Sequence, residues 1–390
     1  MNEETRLYYV DSHLSSFEAV VTGCEPAGSL FAVTTDRTAF FPESGGQSGD
    51  RGRLNGVPVL DTQETDGCIL HLCASPLPVG TAVHGELDWE ARFSNMQSHS
   101  AEHIISGLAY GLWGCENVGF HLSDGVVTMD LSQELDREQL QLLERRANEV
   151  VWRNVAVRGW FPDSATLETM NYRQKKPLSG AIRIVEIEGV DRCACCVPHV
   201  DRTGEIGLIR LTDAMRHRGG MRLTLLAGRR AWEDVFALYS EAEKLSALYS
   251  APRHGLVPAA ERIMAEKEAV QYTVTGLERE LTALTVASRA PTDGNLLLFV
   301  PASRSAAAMR ELADGCADKC TGLAAVFAGE DGAWRYVIAS RHIALRTKAK
   351  SINAAIAGRG GGSDAMLQGS CTADRAALER WAAEFNQQEE

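Results

Sequence analysis

No run in the 390 residues approaches the ~18 consecutive apolar residues that a membrane-spanning helix needs, so no transmembrane role is expected. The first residues, Met1-Asn2-Glu3-Glu4-Thr5-Arg6, are acidic and lack the basic and apolar regions of a secretory leader, which points to a cytoplasmic protein. An excess of basic residues is also missing. Thirty-nine Lys and Arg against 52 Asp and Glu give a net charge of −13. Indiscriminate nucleic-acid binding depends on neutralising many phosphates and is disfavoured by that balance. Disorder is excluded as well, because 45% hydrophobic and 23% charged residues is the composition of a folded globular chain. The length fits two or three domains.

What is present is more specific. Ten cysteines in a reducing compartment serve as small buried hydrophobes, metal ligands or nucleophiles, and a disulfide framework is not expected. They gather at Cys193, Cys195 and Cys196, and at Cys316 and Cys320. Basic residues collect in three places despite the acidic balance: Arg173, Lys175 and Lys176; Arg216, His217, Arg218 and Arg222; and Arg341, Arg346, Lys348, Lys350 and Arg359. Each group reads either as a restricted RNA contact or as an ordinary solvated face.

The patterning describes an α+β chain in four parts. Residues 1–89 alternate apolar and polar positions in short runs such as Phe17 to Thr22, Ser29 to Thr34 and Ala82 to Leu87, which predicts a β-rich, barrel-like domain. Inside it, the segment from Phe40 to Asp50 carries Ser44, Gly45, Gly46 and Gln47 and is too glycine-rich for a regular strand. Residues 90–228 read as an α/β domain with helices on an antiparallel sheet. Ser98 to Trp113 and Asp136 to Trp152 are helical; 181–187, Gly207 to Leu211 and Met221 to Leu226 are strand-like. Residues 229–289 form a helical arm whose apolar positions recur at helical spacing, interrupted at Pro252 and Pro258, and which could join two copies as a homodimer. Residues 290–390 form a small α/β domain that reaches Gly358, Arg359, Gly360, Gly361 and Gly362; it too could mediate dimerisation.

Two pairs at four-residue spacing suggest a metal site. On a helix His99 and His103 share one face, their Cβ atoms ~5–6 Å apart. Cys195 and His199 repeat the spacing and complete an N/S set of the kind that holds Zn2+. About 0.26 chance pairs of each kind are expected at this composition, so either alone is weak, whereas both together have a chance expectation near ~0.07. Glu102 makes His99-Ser100-Ala101-Glu102-His103 an H-x-x-E-H motif. Glu102 is then either the general base of a zinc hydrolase or a plain surface residue.

These residues resemble the editing domain of alanyl-tRNA synthetase and its free-standing AlaX-type relatives, above all the long stand-alone form. The likeness runs from Glu43-Ser44-Gly45-Gly46-Gln47-Ser48-Gly49-Asp50 through Asp88-Trp89, Arg92 and Met96 into His99 to His103. It resumes at Cys195 to His199-Val200 and Thr203-Gly204-Glu205-Ile206-Gly207. Gly358 to Gly362 and the residues to Gln368-Gly369 are similar to the close of the synthetase's carboxy-terminal domain. The resemblance implies one zinc ion on His99, His103, Cys195 and His199, and deacylation of alanine tRNA mischarged with serine or glycine. It further implies a pocket bordered by Ser44, Gly45, Gly46 and Gln47, and tRNA contacts at Arg359, Gly360, Gly361 and Gly362. No amino-acid-activating domain is expected.

Two departures bear on specificity. Glu102 stands where the synthetases often have threonine, and Cys196-Val197-Pro198 where they often have Gly-Gly-Thr. Four protein ligands also close a tetrahedron, so zinc is expected to orient the substrate rather than activate water, with Glu102 the catalytic base or amine-binding group. The competing readings are a zinc peptidase, an RNA-binding module with a structural zinc, and a phosphoesterase-linked role whose aspartate-rich motifs are missing.

Overall fold

The computed structural model describes residues 5–123, 126–174 and 181–385; Lys175 and Lys176 of the first basic group lie outside them. The chain divides into two compact units, residues 1–244 and 245–390.

After a short helix α1 (Leu7–Val10), the first unit opens with six strands: β1 (Ser16–Ala27), β2 (Leu30–Thr35), β3 (Gly52–Leu54), β4 (Val57–Thr65), β5 (Cys68–Cys73) and β6 (Ala82–Leu87). They close into an antiparallel barrel in the order β1-β2-β5-β4-β3-β6. Alternation explains it: every second residue of β6 is buried, and Phe17, Val21, Val33, Leu54, Val59 and Val83 fill the interior. His71 on β5 is buried among them. Its Nδ1 donates to Val33 O at 2.9 Å, and Thr38 Oγ1 lies 2.8 Å from Nε2. Burial lowers its pKa to about 4.

The helix expected from Ser98 begins nine residues earlier, because Asp88 caps it by accepting from Ala91 N. This helix, α2 (Trp89–Trp113), ends at Gly114 in the left-handed conformation and is buried on nearly all sides from Met96 to Gly107. Strands β7 (Asn117–Ser123) and β8 (Val126–Leu131) follow, then α3 (Arg137–Arg153), which Asp136 and Gln139 start with a capping box. Next come β9 (Val157–Trp160), α4 (Ser164–Thr169), β10 (Ile184–Ile187), β11 (Asp191–Ala194), β12 (Ile209–His217) and β13 (Gly220–Ala227). Helices α2 and α3 pack on the antiparallel sheet β12-β13-β8-β7, and α2 also lies against β11 of the smaller sheet β11-β10-β9. Gly107 permits that approach: a Cβ there would stand 2.6 Å from Val190 O.

The arm comprises α5 (Arg229–Tyr249) and α6 (Leu256–Ala287). Pro258 does not interrupt it. It occupies the first turn of α6, where a missing N–H breaks no helical bond. The second unit continues with β14 (Leu296–Val300), α7 (Ala306–Ala317), β15 (Ala324–Glu330), β16 (Ala333–Ala339), α8 (Leu345–Ala355), β17 (Gly358–Gly362), β18 (Met366–Cys371) and α9 (Arg375–Glu384). Its sheet, β14-β15-β16-β18-β17, is parallel only between β14 and β15. Helix α7 covers one face, and α8 and α9 cover the other. Among the described residues no helix is long and apolar enough to cross a membrane.

Candidate metal centre

Helix α2 brings His99 and His103 to one face, and the segment after β11 returns Cys195 and His199 to the same point. The four ligand atoms lie within 4.8 Å of one another. Cys195 Sγ is 3.6 Å from His99 Nε2 and 3.4 Å from His199 Nε2. A tetrahedral zinc with Zn–S of about 2.3 Å and Zn–N of about 2.1 Å has an S···N edge of about 3.6 Å, so the donor set fits that ion.

The ligands are oriented from outside. His199 Nδ1 lies 3.0 Å from Ser100 Oγ, and burial, then the neighbouring His103 and His99, pushes its pKa well down, leaving a neutral ring with Nε2 turned toward Cys195. His103 Nδ1 meets Asp191 Oδ2 at 3.0 Å. Burial pushes the Cys195 thiol up, with Cys196 adding to it, so a thiolate there depends on a cation's charge. Cys193 turns elsewhere and groups with His103 and Asp191.

Glu102 is not a surface residue; it is 1% exposed. Ser106 Oγ donates to its Oε1 at 2.6 Å, and Asn117 Nδ2 donates to the same oxygen. Its Oε2 faces His99 Nε2 at 4.0 Å and His103 Nε2 at 3.8 Å.

A cavity of about 600 Å3 opens over the centre, lined by His99, His103, Cys195, Cys196, Ser44, Gly45 and Gly46, with Phe120 and Arg183. Glu102 is not among the lining residues, and neither is Gln47, which is 1% exposed and has no hydrogen-bond partner at its amide among the described residues. The glycine loop is held by paired bonds between Ser44 and Gln47 and by Leu122 N donating to Gly46 O at 2.7 Å. Gly45 and Gly46 have φ of +62° and +81°, and a Cβ on Gly46 would sit 2.6 Å from Phe120 O. An ion pair from Arg92 to Asp50, both buried, clamps this loop to α2, and Asp50 also accepts from Phe41 N at 2.7 Å. Asp191, Arg173, Ser100, Ser106 and Asn117 carry no spacing signal linking them to the ligands; only their contacts reveal them.

The other sequence-predicted residues lie in the second unit. Gly358–Gly362 is the exposed edge strand β17, with Arg359, Gly360, Gly361 and Gly362 all exposed. The basic groups are partly neutralised: Arg173 pairs with Asp191, Arg216 with Glu134, Arg222 with Asp130, and Arg341 with Asp314 and Asp318.

Residues 182–223, which include Cys195 and His199, match the family described as the threonyl and alanyl tRNA synthetase second additional domain. The chain is 27% identical over 383 residues to the alanyl-tRNA editing protein Aarsd1 of Mus musculus, covering 93% of each. It is 30% identical to the Bos taurus protein of that name, across 70% of this chain and 65% of the other. Alanine–tRNA ligase of Halobacterium salinarum is 33% identical over 297 residues, 72% of this chain but 32% of the ligase. A solved C-Ala domain from Aquifex aeolicus alanyl-tRNA synthetase matches 24% of the chain and 89% of that domain at 16% identity, with a TM-score of 0.20, too low to bear on the fold.

Proposed function

Because the chain is related along most of its length to the alanyl-tRNA editing proteins, and to alanine–tRNA ligase, we propose that it is a zinc-dependent deacylase of mischarged alanine tRNA. The observation that carries this reading is the convergence of three distant motifs, His99/His103, Cys195/His199 and Ser44 to Gly46, on one cavity. His99, His103, Cys195 and His199 hold the ion, which when bound supplies positive charge for orienting and polarising the aminoacyl ester.

The protein's own groups do the rest. Glu102, with Oε1 fixed by Ser106 and Asn117, presents Oε2 toward the two histidines as the proton acceptor or the partner of the substrate ammonium. Ser44 Oγ and Cys196 Sγ, 3.4 Å apart in the cavity wall, are the polar pair offered to a serine hydroxyl. A serine hydroxyl can bond to this pair and an alanine methyl cannot, which is how an editor spares the correct product. Gln47 supports the loop from beneath. The exposed glycine strand at Arg359, Gly360, Gly361 and Gly362 allows close approach of a tRNA backbone, and the arm joins two copies. The setting is the cytoplasm.

Incubation with serine-charged alanine tRNA is expected to release serine while alanine-charged tRNA persists; intact seryl ester contradicts the reading. The closed four-ligand set favours one alternative, a tRNA-binding module with structural zinc. It predicts RNA binding with the ester untouched.

A further inference from the structure

Arg183 lines the cavity over the metal centre and is 9% exposed, yet it has no carboxylate partner among the described residues. Its Nη1 donates to Cys195 O at 3.2 Å and Val197 O at 3.0 Å, and its guanidinium lies 5.1 Å from the centre of the Tyr9 ring. Gly159 leaves room for it, since a Cβ there would stand 2.0 Å from Nη2. No described residue accepts from Nε or Nη2. Two other arginines of this unit, the buried Arg92 and the half-buried Arg173, are used differently. Arg92 rests on Asp50, and Arg173 sets its Nε and Nη2 on Asp191 at 2.7 and 2.8 Å. A buried guanidinium whose charge is left uncompensated is costly, and an anionic ligand removes that cost.

The surroundings say where the anion sits. No Asp or Glu lines the cavity over the metal centre, and Arg183 is its one Lys or Arg among the described residues. A second cavity of about 390 Å3 also touches Arg183, but Asp11 and Asp201 line it and repel an anion. The unused Nε/Nη2 edge is the two-donor fork that fits a carboxylate or phosphate side-on. Nη1 is held by the carbonyls of Cys195 and Val197 on the side opposite that fork, so the guanidinium is fixed beside the ligand loop with Nε and Nη2 left for an anion.

We propose that Arg183 binds the phosphodiester joining the last two nucleotides of the charged RNA 3′ end. That phosphate is separated from the ester by a single ribose. The proposal rests on the tRNA-editing reading for the identity of its ligand.

The test uses the full zinc-loaded chain and two probes, cytidylyl-(3′→5′)-adenosine and its uncharged methylphosphonate analogue, with binding followed by NMR titration. The parent is expected to bind the charged dinucleotide about tenfold more tightly, the usual size of one charge-assisted contact. Arg183→Gln should erase that preference with zinc content unchanged. Arg183→Lys, which keeps the charge without the fork, should retain about threefold. Equal affinities in the parent, or a preference that survives in Arg183→Gln, overturn the proposal. So does a loss of both probes together with zinc in both variants, which assigns Arg183 to holding the ligand loop alone. Seryl-ester hydrolysis, measured separately, decides the editing reading: a chain that binds phosphate through Arg183 and cleaves no ester fails there and not here.

Discussion

His103 Nδ1 stands 3.0 Å from Asp191 Oδ2, and Arg173 grips that carboxylate through Nε and Nη2 at 2.7 and 2.8 Å. Burial alone raises the carboxyl's pKa, but the bonds to His103 and Arg173 outweigh it and hold it below the usual range. A charged Asp191 therefore keeps the His103 proton on Nδ1 and the Nε2 lone pair toward the metal position. Asp191→Asn should weaken zinc binding about 10–100-fold, read by competition with a coloured chelator. Parental affinity would show that His103 needs no such partner.

Glu102→Gln keeps the shape and both anchors at Oε1 but cannot take a proton. Deacylation should fall about 10²–10⁴-fold with zinc still stoichiometric. A parental rate with zinc retained removes Glu102 from proton transfer and leaves it a structural carboxylate.

The barrel should be acid-sensitive through His71. Its folded pKa of about 4 lies below the ordinary 6.5. Above 6.5 neither state holds the proton; between 6.5 and 4 the unfolded chain takes it up and the folded barrel does not. Stability therefore falls as pH drops through that window and levels off below it. By linkage the loss from pH 7 to pH 5 is about 2 kcal/mol. His71→Asn should lose that much less over the same interval in urea unfolding, and equal losses would contradict the assignment.

Along α6, Ile263, Val270, Leu277 and Leu284 recur every seven residues, with Val274 and Leu281 between them, and all six are exposed. Such a seam suits pairing with a second helix of the same kind. Sedimentation should find a dimer that the double substitution Leu277→Glu, Leu281→Glu converts to monomer. A monomeric parent would refute the pairing.

The pair His99 and His103 was legible because helix geometry turns a four-residue spacing into proximity; Cys195 and His199 share the spacing but lie in the irregular segment after β11, where the chain's return and not a helix brings them together. The supports of the metal site were not legible, since Asp191 and His103 are 88 residues apart with no periodicity joining them. The Arg92–Asp50 clamp was hidden in another way: both residues belong to the quoted motifs, but an ion pair across two elements has no spacing. Strand β7 does carry a sequence signal, the alternation of Val118, Phe120 and Leu122. Glycine disguised β17, a residue type poor in strands. It pairs here because a Cβ on Gly360 would strike the Tyr336 hydroxyl at 2.3 Å.

Whether bound zinc is required for ester hydrolysis is tested most directly by metal titration. Zinc is withdrawn stepwise by a chelator while seryl-ester hydrolysis on alanine tRNA and circular dichroism are followed together. The rate should fall in proportion to the zinc removed, with the fold retained, and return when zinc is restored. A rate that survives complete removal of zinc from a folded chain would contradict that requirement.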